Sequence, residues 1–488
     1  MNEPNERQDL PRFLVIFLPF AAAFFITVFV GGWILQAFPN SADEYDYLFQ
    51  ARTYFSGRFF NATHPSQTFF EFMHLIQYQG KWYSPYPIGW PLILTGAMLA
   101  KVPSWLVNPF LGSLSLLFVF LLGKRLYGEK IAIWAVFYLL SSPFFIFNSA
   151  SYFSHTLCSL ILLMLAYVLA SCHSDSVLPS RRLGMAVGGF LIGCALLTRP
   201  YTAFWCIFPM IYFYLRKRKR LFFQDLIWLG LGLLPCSIAY GINNYHITGN
   251  LLQDVAGWSV PPHLQAPPYP GGYGIPEAAQ LLIDYLGLLS RWTGMGGVVI
   301  YCFYLFLPPK PTSVCWVDAV MLCLIGGYLF VPFPAGNQYG PRYYYEAFPF
   351  MVLSVASNVF SPRSVERGTH TQTVLKSLFF FGMVMNLFYL SKSMLREHEV
   401  IIERRDLYDL VEKEKIRNAV IFLQNGTGVK RPMPVWDLLR NGTDFNGSIL
   451  YAEDKGKRNE ELVSYFPGRV FYRYVREDQN PKGRLEKL

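Results

Sequence analysis

The strongest constraint on the fold is a series of long apolar segments separated by short polar gaps. Of the 488 residues, 53% are hydrophobic and only 15% are charged. A soluble domain carries roughly a quarter charged residues, and a membrane span needs about 20 apolar residues. Candidate spans lie at 13–38, 104–123, 130–150, 154–171, 183–198, 201–215, 221–242, 295–309, 314–333, 346–360 and 374–391. We therefore predict an α-helical polytopic membrane protein with about 11 transmembrane helices.

The basic residues indicate how the chain is oriented in the membrane. They cluster in short gaps such as 181–182, 216–220 and 363–367. With a cytoplasmic N-terminus, all of these gaps fall on the cytoplasmic side, as membrane proteins prefer. Segment 89–101 is interpreted as re-entrant or interfacial, because a full crossing would turn every later basic gap outward. The pattern favours a multi-pass protein of the cytoplasmic (inner) membrane and gives no indication of a nucleic-acid partner.

Two long loops and a tail domain are predicted outside the membrane. Residues 39–103 form a first outer loop rich in aromatic residues, which is typical of interfacial helices. Residues 243–294 include a proline-rich tract, predicted as a mobile flap over a cavity or, alternatively, a plain connector. The composition changes sharply near residue 392, which divides a transmembrane domain, 1–391, from a small extracytoplasmic α/β domain, 392–488. Three short strands are predicted in the tail, at 419–423, 448–452 and 470–475.

An acidic stretch follows the first apolar segment and is the first candidate for chemistry. Asp43, Glu44 and Asp46 lie within four residues, and Asp43 and Asp46 share a helical face. Carboxylates beside a bilayer are costly unless they are solvated, paired or functional. The cluster can take a proton from a nucleophile or hold a divalent cation. The alternative is a solvated helix start with Ser41 as its N-cap.

Further polar residues are predicted on the same side of the membrane. Arg199 and Arg342 lie at the outer ends of spans, where arginine either snorkels to lipid phosphates or binds a substrate phosphate bidentately. His155 can reach the same cavity or serve as a hydrogen-bonded structural histidine. The residues predicted to line the substrate site are Asp46, Tyr83, Tyr86, His155, Tyr345 and Glu346. Carboxylates facing arginines suit a reaction with a deprotonated nucleophile and a phosphate leaving group.

Several function classes find no support in the sequence. The eight cysteines include no C-x-x-C pair, so neither structural zinc nor a disulfide framework is indicated. There is no Walker A loop and no G-x-S-x-G elbow, so an ATP-driven pump and a serine hydrolase are not indicated either.

The order of the motifs resembles a known class of enzymes. The chain carries the Asp43-Glu44 pair, then Tyr83-Ser-Pro-Tyr-Pro-Ile-Gly-Trp-Pro91, Leu197-Thr-Arg-Pro200 and Gly340-Pro-Arg-Tyr343. Together these resemble the GT-C class of multi-spanning glycosyltransferases, on the branch of the protein O-mannosyltransferases and lipid A aminoarabinose transferases. The resemblance covers roughly residues 10–391.

The resemblance implies a polyprenyl-phosphate sugar as donor and a glycan, lipid or protein as acceptor. It implies that Asp43 is the general base and Glu44 a supporting carboxylate, whereas binding of the donor phosphate falls to Arg342, Arg199, Arg52, Arg58 or Lys81. In one respect the chain departs from the class. Aminoarabinose transferases have a phosphate-binding lysine in the stretch that matches 83–87, where this chain has Ser84, Pro85 and Tyr86.

Two other functions stay open at this point. One is a transporter or flippase of a lipid-linked or anionic substrate, which would favour charges at mid-bilayer depth and repeated spans. The other is a non-catalytic assembly protein that acts through its tail domain.

Overall fold

The protein is described from a computed structural model that covers most of the chain. The described residues are 12–172, 178–217, 223–258, 272–294, 296–305, 315–332, 336–360, 369–424, 435–476, 480 and 482–488. Helices dominate, and a small sheet domain lies at the C-terminus. The predicted fold class, an α-helical membrane protein with a small C-terminal α/β domain, is confirmed.

The helices follow the predicted apolar segments closely. The first eight are α1 (Arg12–Phe29), α2 (Ala42–Phe55), α3 (Gly89–Leu99), α4 (Val107–Tyr127), α5 (Glu129–Ser141), α6 (Pro143–Ala150), α7 (His155–Ser171) and α8 (Leu178–Thr198). The next eight are α9 (Pro200–Lys217), α10 (Phe223–Thr248), α11 (Val255–Trp258), α12 (Ile275–Trp292), α13 (Gly296–Leu305), α14 (Cys315–Tyr328), α15 (Phe348–Phe360) and α16 (Thr369–Lys413).

Within the described ranges, five helical segments are long and apolar enough to cross a membrane. They are Phe17–Ile34, Ser104–Tyr127, Arg181–Thr198, Phe223–Thr248 and Thr369–Lys413. The predicted span 130–150 is broken, because α5 and α6 meet at an angle of 67°. The break falls at Pro143, whose ring removes a helical hydrogen bond. Counting this pair as one span gives six, and the total of about 11 stays a prediction.

Segment 89–101, interpreted as re-entrant or interfacial, contains a short helix, whereas segment 243–294 differs from the loop expected of it. Helix α3 has 11 residues, too few to cross a bilayer core about 30 Å thick. Segment 243–294 contains the end of α10 and the 18-residue helix α12, so it is more regular than a loop. The proline-rich tract of segment 243–294, predicted as a flap, falls almost wholly on residues 259–271, which lie outside the described residues.

The first loop between α1 and α4 carries a small sheet beside α2. Its strands are β1 (Asn61–Ala62), β2 (Ile76–Tyr78) and β3 (Lys81–Tyr83), paired antiparallel in the order β1-β3-β2. In the register of this sheet, Trp82 lies opposite both Asn61 and Gln77.

The C-terminal domain is a mixed sheet whose strands were largely predictable. Its elements are β4 (Ala419–Leu423), β5 (Ile449–Glu453), α17 (Asn459–Tyr465), β6 (Val470–Val475) and β7 (Arg484–Lys487). The sheet order is β5-β4-β6-β7, with β4 parallel to β5 and β6, and β7 antiparallel to β6. Strands β4 and β6 match the predicted ranges and β5 is shifted by one residue, whereas β7 was not predicted.

Helix α16 joins the two parts of the molecule without a break. It is 45 residues long, so the predicted last span, 374–391, continues directly into the tail. The first loop packs against the tail domain, and the two share a hydrophobic core that includes Phe49, Trp82, Ile421 and Leu439.

Candidate functional site

Asp43 lies in the first turn of α2 and forms the centre of a polar cluster. The helix starts there because the Ser41 hydroxyl accepts a hydrogen bond from the backbone N–H of Glu44 (3.3 Å), which confirms Ser41 as the N-cap. Asp43 Oδ2 lies 2.5 Å from Nη2 of Arg342. Asp43 Oδ1 lies 3.2 Å from Nε2 of His74 and accepts a hydrogen bond from the Tyr86 hydroxyl.

These partners keep Asp43 ionised. Burial alone would raise the pKa of the Asp43 carboxyl. The nearby guanidinium of Arg342 and the hydrogen bonds from His74 and Tyr86 outweigh burial, so they hold this pKa well below its ordinary value. Asp43 is therefore charged near neutral pH, and it is a weak base as long as Arg342 stays paired with it.

Glu44 is turned away from this cluster and is bound by backbone groups. Its carboxylate accepts hydrogen bonds from the N–H groups of Asn40 (2.6 Å) and Tyr152 (2.8 Å). Burial raises the pKa of Glu44 to about 7, against the effect of those two hydrogen bonds. These two hydrogen bonds connect the start of α2 to the segment after α6, so the Glu44 side chain holds the backbone around Asp43 in place.

Asp46 is fully buried, contrary to a solvated helix start. In the part of the chain that the structure describes, neither of its carboxylate oxygens has a hydrogen-bond partner. Burial, together with repulsion from Asp43 and Asp437, raises the pKa of Asp46 well above its ordinary value. The sequence placed Asp43 and Asp46 on one helical face, but their environments differ: Asp43 is paired with the guanidinium of Arg342, whereas Asp46 is buried without a hydrogen-bond partner among the described residues.

A second buried cluster contains the other predicted arginine. Glu346 Oε1 lies 2.9 Å from both Nε of Arg199 and Nδ1 of His155. Glu346 and His155 are almost wholly buried. Tyr345 lies beside them, and its hydroxyl is 3.0 Å from the Ser149 hydroxyl. Arg199 therefore pairs with Glu346, while Arg342 pairs with Asp43.

The two clusters are neighbours. The ring of Tyr47 packs on that of Tyr86, with centroids 4.8 Å apart, and the Tyr47 hydroxyl lies 3.3 Å from the Ser154 hydroxyl. Arg199 donates to the same Ser154 oxygen at 3.2 Å. The guanidinium carbons of Arg199 and Arg342 each lie 6.0 Å from the ring centroid of Tyr343. The structure thus brings both arginines and Asp43 into one region.

An apolar cavity of about 930 Å³ opens beside this region. Its walls come from residues 85–88, α8, α10 and α11, and Tyr86 is the wall residue that also binds Asp43. Tyr83 lies elsewhere: it is buried on β3 and packs with Ile247 and Val255. Lys81 donates to the carbonyl oxygens of His246 (3.2 Å) and Ile247 (2.5 Å) at the end of α10.

His74 is the site residue that sequence reasoning missed. It lies in an irregular stretch before β2, and no spacing relates it to Asp43, 31 positions away. Among the described residues, no group of three or more His, Cys, Asp or Glu side chains is arranged to hold a metal ion. The divalent cation considered for the acidic stretch stays untested.

Comparison with known proteins gives two family matches. Residues 86–245 match the Alg9-like mannosyltransferase family, and residues 419–485 match a domain of unknown function, DUF7846. A search of curated protein sequences gives no match.

Two solved structures share the fold over nearly the whole chain. ArnT from Cupriavidus metallidurans in the apo state is 12% identical with a TM-score of 0.61, covering 95% of this chain and 93% of that one. ArnT bound to undecaprenyl phosphate is 12% identical with a TM-score of 0.59, covering 94% of this chain and 93% of that one. The chain thus has the membrane fold of the GT-C class of glycosyltransferases, and the resemblance indicated by its motifs is confirmed.

Proposed function

We propose that the protein transfers a sugar from a polyprenyl-phosphate donor to a hydroxyl acceptor, with inversion at the anomeric carbon. The observation that carries this proposal is the Asp43 carboxylate held by Arg342 next to a large apolar cavity. Undecaprenyl phosphate bound to ArnT, which shares the fold, supports a lipid phosphate as the leaving group. The basic gaps in the sequence support a site on the outer face of the cytoplasmic membrane.

In the proposed reaction, Asp43 removes the proton of the acceptor hydroxyl. The hydroxyl oxygen forms a bond to the anomeric carbon, and the bond from that carbon to the phosphate oxygen breaks. The polyprenyl phosphate leaves with the electron pair. General-base assistance of this kind typically contributes about 10²–10⁴-fold to the rate.

Arg342 is placed to bind the donor phosphate. Within the described residues its buried Nε has no hydrogen-bond partner, so one donor of the guanidinium fork is available. A phosphate that took this donor and Nη2 would compete with Asp43 for the guanidinium. Donor binding would thereby weaken the Asp43–Arg342 pair, raise the pKa of Asp43 and make it a stronger base when the substrate is present.

The apolar cavity suits the polyprenyl chain of the donor. Its lining combines aliphatic side chains of α8 and α10 with Tyr86, whose hydroxyl reaches Asp43. A chain lying there would bring its phosphate towards the arginine region. His74 lies at Oδ1 of Asp43 and would orient the carboxylate by donating a hydrogen bond to it.

A matched pair of variants tests the proposal. We expect Asp43→Asn to lower transfer by about 10²–10⁴-fold in membranes supplied with donor lipid. Asp46→Asn changes the same chemical group one helical turn away, where the carboxyl group is shielded, and should retain transfer. Equal loss in both variants, or full transfer by Asp43→Asn, would contradict the assignment of the base.

A further inference from the structure

We infer that the C-terminal domain is a clamp that holds the start of α2, and with it Asp43, in register with Arg342. This assigns a role to the segment that matches a domain of unknown function. Its consequence for activity rests on the proposed function, whereas its consequence for local backbone stability does not.

Two arginines of the C-terminal domain donate hydrogen bonds to the backbone just before α2. Arg440 Nη1 donates to the carbonyl oxygen of Pro39 at 2.7 Å, and Arg404 Nη1 donates to that of Asn40 at 2.9 Å. Asp437 binds both arginines, at 3.1 Å from Arg440 Nη2 and 2.7 Å from Arg404 Nη1. The catalytic helix begins two residues later, at Ala42.

Asn40 also forms hydrogen bonds with the segment that precedes Arg342. Its carbonyl oxygen also accepts from Nε2 of Gln338 at 3.2 Å, and its side chain donates to the Tyr339 hydroxyl at 2.9 Å. Gln338 and Tyr339 lie four and three positions before Arg342, which begins the next turn. Asp43 lies three positions after Asn40, so this buried asparagine contacts the chain close to both residues of the Asp43–Arg342 pair.

Aromatic side chains of the first loop extend into the tail domain and strengthen the contact. Phe69 and Phe70 are wholly buried in a core with Phe422, Leu450 and Leu462 of the tail. On α2 itself, the Tyr45 hydroxyl donates to the carbonyl oxygen of Asn441. The first loop and the tail thus form one packed unit.

The burial of the charged side chains that hold this backbone favours a positioning role over a purely stabilising one. The side chains of Arg404, Arg440 and Asp437 are 11%, 5% and 6% exposed. Buried ion clusters contribute little net stability compared with apolar packing, and their best-attested use is to specify one arrangement over others. Here the arrangement that they specify is the position of the backbone at Pro39 and Asn40.

Hydrogen–deuterium exchange on the full-length protein in detergent tests the clamp directly. We compare Arg404→Gln/Arg440→Gln with Arg484→Gln, the same change at a half-exposed arginine of β7. In the double variant, amides of residues 42–55 should exchange roughly 10- to 100-fold faster, the factor expected when charged hydrogen bonds to the backbone are lost. Amides of α7 should keep their protection, and Arg484→Gln should match the wild type.

Unchanged exchange in α2 would overturn the clamp, and so would faster exchange throughout α7, which would make the arginines a general stabiliser. Should the double variant fail to accumulate, Arg440→Gln alone gives the same comparison with only one of the two backbone hydrogen bonds removed, the one to the carbonyl oxygen of Pro39.

Transfer kinetics separate this inference from the proposed function. We expect the double variant to lose kcat by at least about tenfold while KM for the donor lipid changes less, because the side chains proposed to bind the donor, Arg342 and the cavity lining, are all retained. If Asp43→Asn abolishes transfer but the double variant keeps the wild-type kcat, the clamp is wrong and the base assignment stands. If Asp43→Asn keeps full transfer, the proposed function fails while the exchange result still decides the clamp.

Discussion

Replacement of Arg342 by Gln tests how one guanidinium serves both the carboxylate and the donor phosphate. Arg342 Nη2 lies 2.5 Å from Asp43 Oδ2, and the side chains of Arg342 and Asp43 are only 10% and 14% exposed. Removing one partner of a buried pair typically costs about 3–5 kcal/mol. Arg342→Gln should therefore lower the unfolding midpoint clearly at neutral pH.

The sign of the pH dependence follows from Asp43. Its pKa in the folded protein is below the unfolded value, so the pair stabilises the protein above the unfolded pKa. This stability is lost as the pH falls through the folded pKa. The difference in unfolding midpoint between wild type and Arg342→Gln should thus be largest near pH 7 and shrink as the solution is acidified.

The effect on donor binding has its own magnitude. Hydrogen bonds to charged groups are worth about 1.5–3 kcal/mol each, which corresponds to roughly 10- to 100-fold in affinity. We expect KM for the polyprenyl-phosphate sugar to rise by that factor in Arg342→Gln, measured by donor titration in proteoliposomes. Arg342→Lys keeps the charge but not the planar fork, so it should restore stability better than it restores KM. Wild-type KM in Arg342→Gln would refute the reasoning.

Three other predictions concern the surroundings of Asp43. His74→Leu removes a hydrogen bond to Asp43 and so raises its pKa, which should move the acid limb of the pH–rate profile to higher pH; His74→Gln can still donate and should move it less, and identical profiles for both would argue against the contact. Asp46 has a raised pKa in the folded state, so its ionisation costs stability increasingly as pH rises above the unfolded pKa; Asp46→Asn should raise the unfolding midpoint more at pH 8 than at pH 5, and a pH-independent difference would contradict this. Ser237→Trp places an indole in the apolar cavity and should raise donor KM about tenfold or more, whereas Leu231→Trp on the exposed face of the same helix, outside that cavity, should not; equal effects would remove the cavity as the chain-binding site.

The sequence was sufficient where local pattern decides structure. Apolar runs located the membrane helices, Ser41 identified the start of α2, and short runs rich in apolar residues located β4 and β6. The motif order indicated the class, because Asp43, Tyr86 and Arg342 each occur in a short recognisable stretch. Helix α16 is longer than the predicted span because residues 392–413, where the composition changes, contain no Gly or Pro to end a helix, so helical hydrogen bonding continues across the change.

Pairings over long sequence separations could not be read from the chain. Arg199 and Arg342 looked equivalent, yet one binds Glu346 and the other Asp43, because the choice depends on how α8, α9 and the turn before α15 pack. No local sequence pattern indicates the contact of His74 with Asp43 or the hydrogen bond from Arg440 to Pro39. Asp46 shows the same limit: periodicity gives its helical face, but neither its burial nor its repulsion from Asp437, far along the chain, follows from local sequence.

The most direct test is donor-lipid binding and single-turnover transfer measured together on Asp43→Asn. If Asp43 is the base and competes with the donor phosphate for Arg342, the variant should bind the polyprenyl-phosphate sugar at least as tightly as the wild type. Its transfer rate from the bound donor should nevertheless fall by about 10²–10⁴-fold. Transfer at the wild-type rate, or loss of donor binding in parallel with activity, would contradict the account.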